Sequence, residues 1–200
     1  MQHRFLIALG ADGVLFDFES AWRKCAENIL RRDIPKVSDH RDLARRFALQ
    51  PGESNRVWAN FHKKTWGNIE AYSYAEDMLY ELKRLGCEIA VVTAVEGRAA
   101  EMRRRWLIRA RWPISQLVSV SPHHHPAQAK ASAVRELNAL AFLEDDAENA
   151  NAATHPLVSA LLWRGCTGMP TPEHHVVVID DPMDFPVLVE TILQRRVKKS

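Results

Sequence analysis

Short, near-continuously apolar runs alternate with helical patterns along most of this chain, and that alternation constrains its fold more than any other feature. The runs are FLIAL (5–9), EIAVVTA (88–94), LAFLE (140–144), VSALLW (158–163) and HVVVID (175–180). Mostly rich in Val, Ile or Leu, they read as strands whose two faces are both covered by helices. Between them, Met78, Leu79, Leu82 and Leu85 fall on one face of a helix over 75–85, which Gly86 ends as a C-cap. Helices are also predicted over 96–108, over 127–137 and after Asp145. Strand and helix in this order imply an α/β fold: a three-layer, doubly wound, mostly parallel sheet.

The segment 19–74 breaks the alternation. Its pieces AWRKCAENILRR, HRDLARRFAL and ESNRVWANFHKKTW are helical in pattern, and Pro35 and the QPGES turn divide them. The expected organisation is a core domain formed by 1–18 and 75–200, with a small helical cap subdomain over 19–74. Such a cap would cover a site at the C-terminal end of the first strand.

Composition narrows the function classes. Two hundred residues, 46% hydrophobic and 26% charged, suit one globular domain with a sizeable core. A net charge of +2 does not demand a polyanionic partner. Cys25, Cys87 and Cys166 are widely spaced and odd in number, which reads as free thiols in a reducing compartment. No apolar run approaches the roughly 18 residues of a membrane span. Asp12 interrupts the first apolar stretch and no small-residue cleavage site follows it, so no signal peptide is expected. The expected location is cytoplasmic, with no membrane partner.

In an open parallel sheet, ligands bind outside the carboxyl ends of the strands. The residues there are Gly10 and Asp12 after the first run, Thr93 in the second, and Glu144, Asp145 and Asp146 after the third; Lys130 opens the helix before that third run. Carboxylates of this kind hold Mg²⁺ through oxygen. A hydroxyl and an ammonium suit phosphate oxygens.

GADGVLFDF, VVTA, Lys130 and FLEDDAENA, in that order, resemble the four motifs of the haloacid dehalogenase (HAD)-like hydrolase superfamily, in its phosphatase type with a small helical cap. The DGVLFDF turn, with tryptophans in the cap, is most similar to the deoxyribonucleotidase-like branch. The resemblance implies a Rossmannoid core and a magnesium-dependent phosphohydrolase acting on a small phosphorylated molecule. It assigns Asp12 as the acid–base aspartate, Thr93 and Lys130 to the phosphate, and Asp145 to the metal, with Asp12, Glu144 or Asp146 assisting. It also places Gly10 where the family carries its attacking aspartate. Glycine supplies neither nucleophile nor metal ligand, so two functions vanish together. Asp12 lies two residues farther out on the turn, and a displacement of even ~1 Å can cost about a hundredfold.

The expected function is therefore a catalytically impaired, phosphatase-like protein that binds a phosphorylated ligand, with weakly held Mg²⁺. An active Mg²⁺-dependent phosphomonoesterase, nucleotidase-like, is the alternative. A second alternative is a nucleic-acid- or protein-binding module using the Arg-rich helix 103–111. Against it, Met102, Trp106 and Ala110 form an inward stripe and the arginines read as a solvated face. The pair Asp180 and Asp181 reads as a helix start with Pro182 in its first turn. His123, His124, His125, His174 and His175 read as polar loops rather than ligands, because consecutive histidines point in different directions.

Overall fold

The apolar runs become six parallel strands in the computed structural model, which describes residues 5–197. They are β1 (Leu6–Gly10), β2 (Glu88–Thr93), β3 (Gln116–Ser119), β4 (Ala141–Glu144), β5 (Val158–Leu162) and β6 (Val176–Ile179). Their order in the sheet is β3-β2-β1-β4-β5-β6. The chain winds from β1 outward to β3, then returns to place β4 on the other side of β1. That reversal opens a crevice beyond the ends of β1 and β4, where α/β sheets bind ligands.

Alternation along the strands sorts the core into two faces. Ile7, Leu9, Ile89, Val91 and Leu143 pack on one side with Met78, Leu79 and Leu82 of α4 (Ala75–Arg84), Leu107 of α5 (Gly97–Ala110), and Phe185 and Val189 of α8 (Asp184–Val197). Ala8, Val92 and Phe142 pack on the other with Ala133 and Val134 of α6 (Pro126–Glu136). A fully buried Leu, Ile or Phe in such a layer contributes about 1.5–3 kcal/mol relative to an exposed one. β3 is absent from the sequence expectation. It is a short edge strand bounded by Gln116 and Ser119, and its residues are exposed or only partly buried, so it carries little apolar signal.

Three helices lie between β1 and α4: α1 (Phe18–Leu30), α2 (Leu43–Arg46) and α3 (Glu53–Lys64). Asp17 caps α1 by accepting from the Ser20 N–H at 3.1 Å. Trp22 of α1 stacks on Phe47 at 5.6 Å between ring centroids, and Phe18 stacks on Trp58 at 5.8 Å. The two segments joining this unit to the sheet pair with each other. Asp17 N–H donates to the Glu70 carbonyl at 2.9 Å, and Tyr72 N–H donates to the Leu15 carbonyl at 3.0 Å.

Asp181 behaves much as its sequence suggests, accepting from the Met183 N–H at 2.8 Å, but the helix itself begins at Asp184, two residues past Pro182. Among the described residues, no helix is long and apolar enough to cross a membrane.

Candidate functional site

Two parallel strands in register send neighbouring side chains to the same face. β1 and β4 pair as Ala8↔Phe142 and Leu9↔Leu143, so Gly10 and Glu144 stand side by side at the strand ends. Both lie on the face of Ala8 and Phe142, which is the face covered by α6. On α6, Lys130 precedes buried Val134 by one turn and so turns toward the same place. There its ammonium donates to Glu144 Oε2 at 2.6 Å, with Glu144 only 1% exposed and Lys130 8%. A Cβ at Gly10 would lie 2.5 Å from Glu144 Oε1 and 3.2 Å from Val14 Cγ2. The Glu144 carboxylate thus fills the volume into which a side chain at position 10 would grow.

The turn after β1 is held from several sides. Gly13 has φ +73°, and a Cβ there would fall within 1.7 Å of Asp145 Oδ2, so both backbone and packing demand glycine. Arg164 donates to the Gly13 carbonyl from Nε at 3.2 Å and from Nη2 at 3.0 Å, and also bonds the Tyr74 hydroxyl. Tyr74 in turn donates to the Val14 carbonyl at 2.6 Å. Burial pushes the Tyr74 phenol up to about 12, with the Arg164 charge opposing the rise. The phenol therefore remains a donor throughout the physiological range.

Asp12 points from this turn to a cation that the sequence reading placed in solvent. Arg103 of α5 is 0% exposed and bonds Asp12 Oδ1. Its guanidinium lies 4.0 Å from the Phe16 ring centroid and 5.6 Å from that of Trp66. Nε and Nη1 have no hydrogen-bond partner among the described residues. The solvated-face expectation fails at this residue because the buried stripe of α5 includes Arg103 and Leu107. Arg104, Arg105, Arg109 and Arg111 are exposed; Arg105 pairs with Glu101 at 2.8 Å and Arg109 donates to the Gly67 carbonyl at 3.2 Å.

Asp146 is the N-cap of α7 (Ala147–Ala152), accepting from the Glu148 N–H at 2.8 Å. It also receives Arg41 of the inserted segment at 2.8 Å, while the other arm of that guanidinium reaches Glu148 at 3.1 Å. Asp12, Lys130, Glu144, Asp145 and Asp146 all border one cavity of about 800 Å³, with Arg41, Arg46, Trp58, Tyr72 and Arg164 among its other walls. Thr93 is buried and forms no part of that wall. Alternation explains this: Thr93 follows Val92, the partner of Gly10, and so takes the opposite face. A smaller cleft of about 370 Å³ between α1 and α3 contains none of the strand-end acids.

Three of the four acids expected to hold a metal are engaged by cations: Asp12 by Arg103, Glu144 by Lys130 and Asp146 by Arg41. Among the described residues, no three His, Cys, Asp or Glu side chains gather into a set that could hold a metal ion. In this arrangement the residues do not fit Mg²⁺. Burial raises the Asp145 carboxyl well above its ordinary range, and the neighbouring Glu144 charge adds to the rise. Glu144 is also raised by burial, with Lys130 pulling the other way. Burial would lower the Lys130 ammonium, but the Glu144 carboxylate outweighs it and holds the ammonium up. Among the described residues the histidines form no ligand cluster; His123 faces Glu96 at 3.4 Å and His175 faces Glu173 at 3.7 Å.

No protein-family model and no curated protein sequence matches this chain. Solved structures do. A haloacid dehalogenase-like family hydrolase from Streptococcus pneumoniae superposes with a TM-score of 0.64 at 15% identity, over 94% of this chain and 100% of that one. The chain has the haloacid dehalogenase-like fold. A HAD family hydrolase from Deinococcus radiodurans, solved with bound phosphate and sodium, gives a TM-score of 0.60 at 15% identity, covering 93% of this chain and 95% of its own. L-2-haloacid dehalogenase from Xanthobacter autotrophicus, with chloropropionic acid covalently bound, gives 0.58 at 15% identity, over 93% and 98%.

In this fold GADGVLFDF, VVTA and FLEDDAENA fall at the ends of β1, β2 and β4, and Lys130 lies on α6. Sequence reasoning missed Arg103, Arg41, Arg164 and Tyr74, which neutralise or clamp the motif residues. For Arg103 a signal existed, since it sits one turn before Leu107 and beside the apolar stripe.

Proposed function

We propose that this protein is a HAD-like phosphatase fold that no longer transfers phosphoryl groups and whose cavity binds a small phosphorylated molecule. One observation carries the reading: position 10 has no side chain, and the Glu144 carboxylate, tied to Lys130, stands in the space such a side chain would enter. A carboxylate nucleophile divides one difficult step into two easier ones, and its loss costs several orders of magnitude in rate. Asp12 does not replace it, because its carboxylate is bound by Arg103. Binding has independent support. Arg41, Arg46, Lys130 and Arg164 border the cavity, and the Deinococcus protein of the same fold was solved with phosphate. The six carboxylates Asp12, Glu19, Asp42, Glu144, Asp145 and Asp146 also border it, outnumbering those four cations. An anion is therefore admitted by exchanging internal ion pairs rather than by a net positive field.

The test is phosphate release from a broad panel of phosphomonoesters with and without Mg²⁺. The expected result is release indistinguishable from the protein-free background in both conditions. Turnover above about 1 s⁻¹ that Asp12→Asn abolishes would establish a working phosphomonoesterase instead.

A further inference from the structure

A buried wall of the cavity already carries an anion. Glu144 is 1% exposed, and its carboxylate is divided between two neighbours. Oε2 accepts from the Lys130 ammonium at 2.6 Å, and Oε1 lies 2.5 Å from where a Cβ at Gly10 would be. A glutamate is long enough to reach across from β4, and the glycine on β1 leaves room for it. Neither feature works alone. A side chain at position 10 would collide with the carboxylate, and without the carboxylate the buried Lys130 would lose its hydrogen-bonded counter-ion, a costly arrangement in a protein.

We propose that Glu144 is a built-in anion that gates this part of the cavity. It holds Lys130 in an internal pair, so that the phosphoryl group of a ligand reaches the ammonium only by displacing it. The inference rests on the reading of the cavity as a phosphorylated-ligand site. It makes Glu144 a specificity-determining residue: ligands whose anionic end cannot compete with an internal carboxylate are refused. The competition is unequal in general. The internal carboxylate is covalently delivered, so an incoming anion meets it at a high effective concentration.

The inference is tested with inorganic phosphate as the probe, by calorimetry on the wild type, Glu144→Gln, and Glu144→Gln with Lys130→Met. Glutamine keeps the shape of Glu144 and removes its charge. The expected result is that Glu144→Gln binds phosphate at least about tenfold more tightly than the wild type, about 1.4 kcal/mol, and that adding Lys130→Met cancels the gain. A gain of affinity on mutation is something a purely structural role for Glu144 would not produce. A folded Glu144→Gln variant whose phosphate affinity is unchanged or weaker overturns the proposal, as does a gain that survives Lys130→Met.

Should Glu144→Gln not fold, Glu144→Met takes its place in the phosphate titration with the same outcomes, and exchange of the two residues tests the packing on which the inference rests. Gly10→Asp alone should lower the unfolding temperature by more than about 5 °C, and Gly10→Asp with Glu144→Gly should recover most of that loss. An exchange no more stable than Gly10→Asp overturns the inference. These outcomes are separate from phosphomonoester turnover by the wild type, which tests the loss of phosphoryl transfer.

Discussion

Asp145 shows how this site trades stability for its arrangement. It is pressed against Gly13, so closely that position 13 admits no side chain. Burial and the neighbouring Glu144 raise its carboxyl well above the ordinary range. A carboxyl raised in the folded protein keeps its proton at pH values where the unfolded chain has already released it. Stability is then greatest below the ordinary carboxylate range, near pH 4, and falls as pH rises through the folded-state value. Glu144 adds a contribution of the same sign, since burial raises it too. Asp145→Asn should therefore raise stability at neutral pH by about 1 kcal/mol, or roughly 2–4 °C in Tm. It should also flatten the decline between mildly acidic and neutral pH, leaving the slope due to Glu144. Denaturation of both proteins across that range checks this; a variant less stable than the wild type at neutral pH would show that the carboxylate is held by favourable contacts. The Gly10→Asp substitution, which the sequence motif suggests as a repair, meets an obstacle of the same kind. Gly10 is not among the residues with positive φ, so its backbone accepts any side chain, and the obstruction is the Glu144 carboxylate.

At the scale of elements, the strands and helices that build the buried layers were legible because burial on both sides writes an unbroken apolar run. β3 was not, since an edge strand with exposed ends needs no such run. The site was legible in part for a related reason. Motif order and strand-end placement locate Asp12, Lys130, Glu144, Asp145 and Asp146 around one cavity, with Gly10 behind the Glu144 carboxylate. Thr93 drops out because alternation decides its face, and the side on which a helix covers that face is a tertiary fact. Pairing is equally tertiary. RRRWLIRARW reads as a basic surface, yet the phase of α5 turns one arginine fully inward, between Phe16 and Trp66, to meet Asp12. Packing dominates what that arginine contributes, because the Asp12 side chain is 27% exposed and keeps water when its partner is lost. Arg103→Ala empties the slot and should cost about 3 kcal/mol. Arg103→Met refills most of it and should cost about 1 kcal/mol. Urea titration of the two variants distinguishes the cases; equal losses would mean that the ion pair outweighs the packing.

For the molecule as a whole, the inserted helices are joined covalently to the core through one pair of segments and held to it elsewhere by non-covalent contacts, among them Arg109 to the Gly67 carbonyl. The covalent connection is the paired segments 15–17 and 70–72. Another contact is a strap of backbone bonds beside the cavity, which Arg41 and Cys166 border: Arg41 N–H donates to the Thr167 carbonyl at 2.8 Å, and Thr167 N–H donates to the Asp39 carbonyl at 2.8 Å. Arg41 and Arg46 reinforce it by reaching Asp146 and the Cys166 sulfur, each at 2.8 Å. Gly168 makes the strap possible. Its φ is +77°, and a Cβ there would lie 2.5 Å from His40 Nε2 and 2.9 Å from Cε1. The ring cannot simply swing away, because its Nδ1 accepts from the Asp42 N–H at 2.9 Å. Gly168→Ala therefore adds backbone strain of about 1 kcal/mol to a collision at the strap, while touching nothing in the sheet. Local opening follows local contacts, so amide exchange in 39–46 and 166–168 should accelerate about fivefold or more. Exchange in β1 and β4 should stay near wild type. Hydrogen-exchange mass spectrometry measures both in one experiment. Uniform acceleration through β1 and β4 would mean that strap and sheet open as one unit, and that the inserted helices do not move separately over the cavity. Acceleration confined to the strap would mean that this contact opens independently of the sheet.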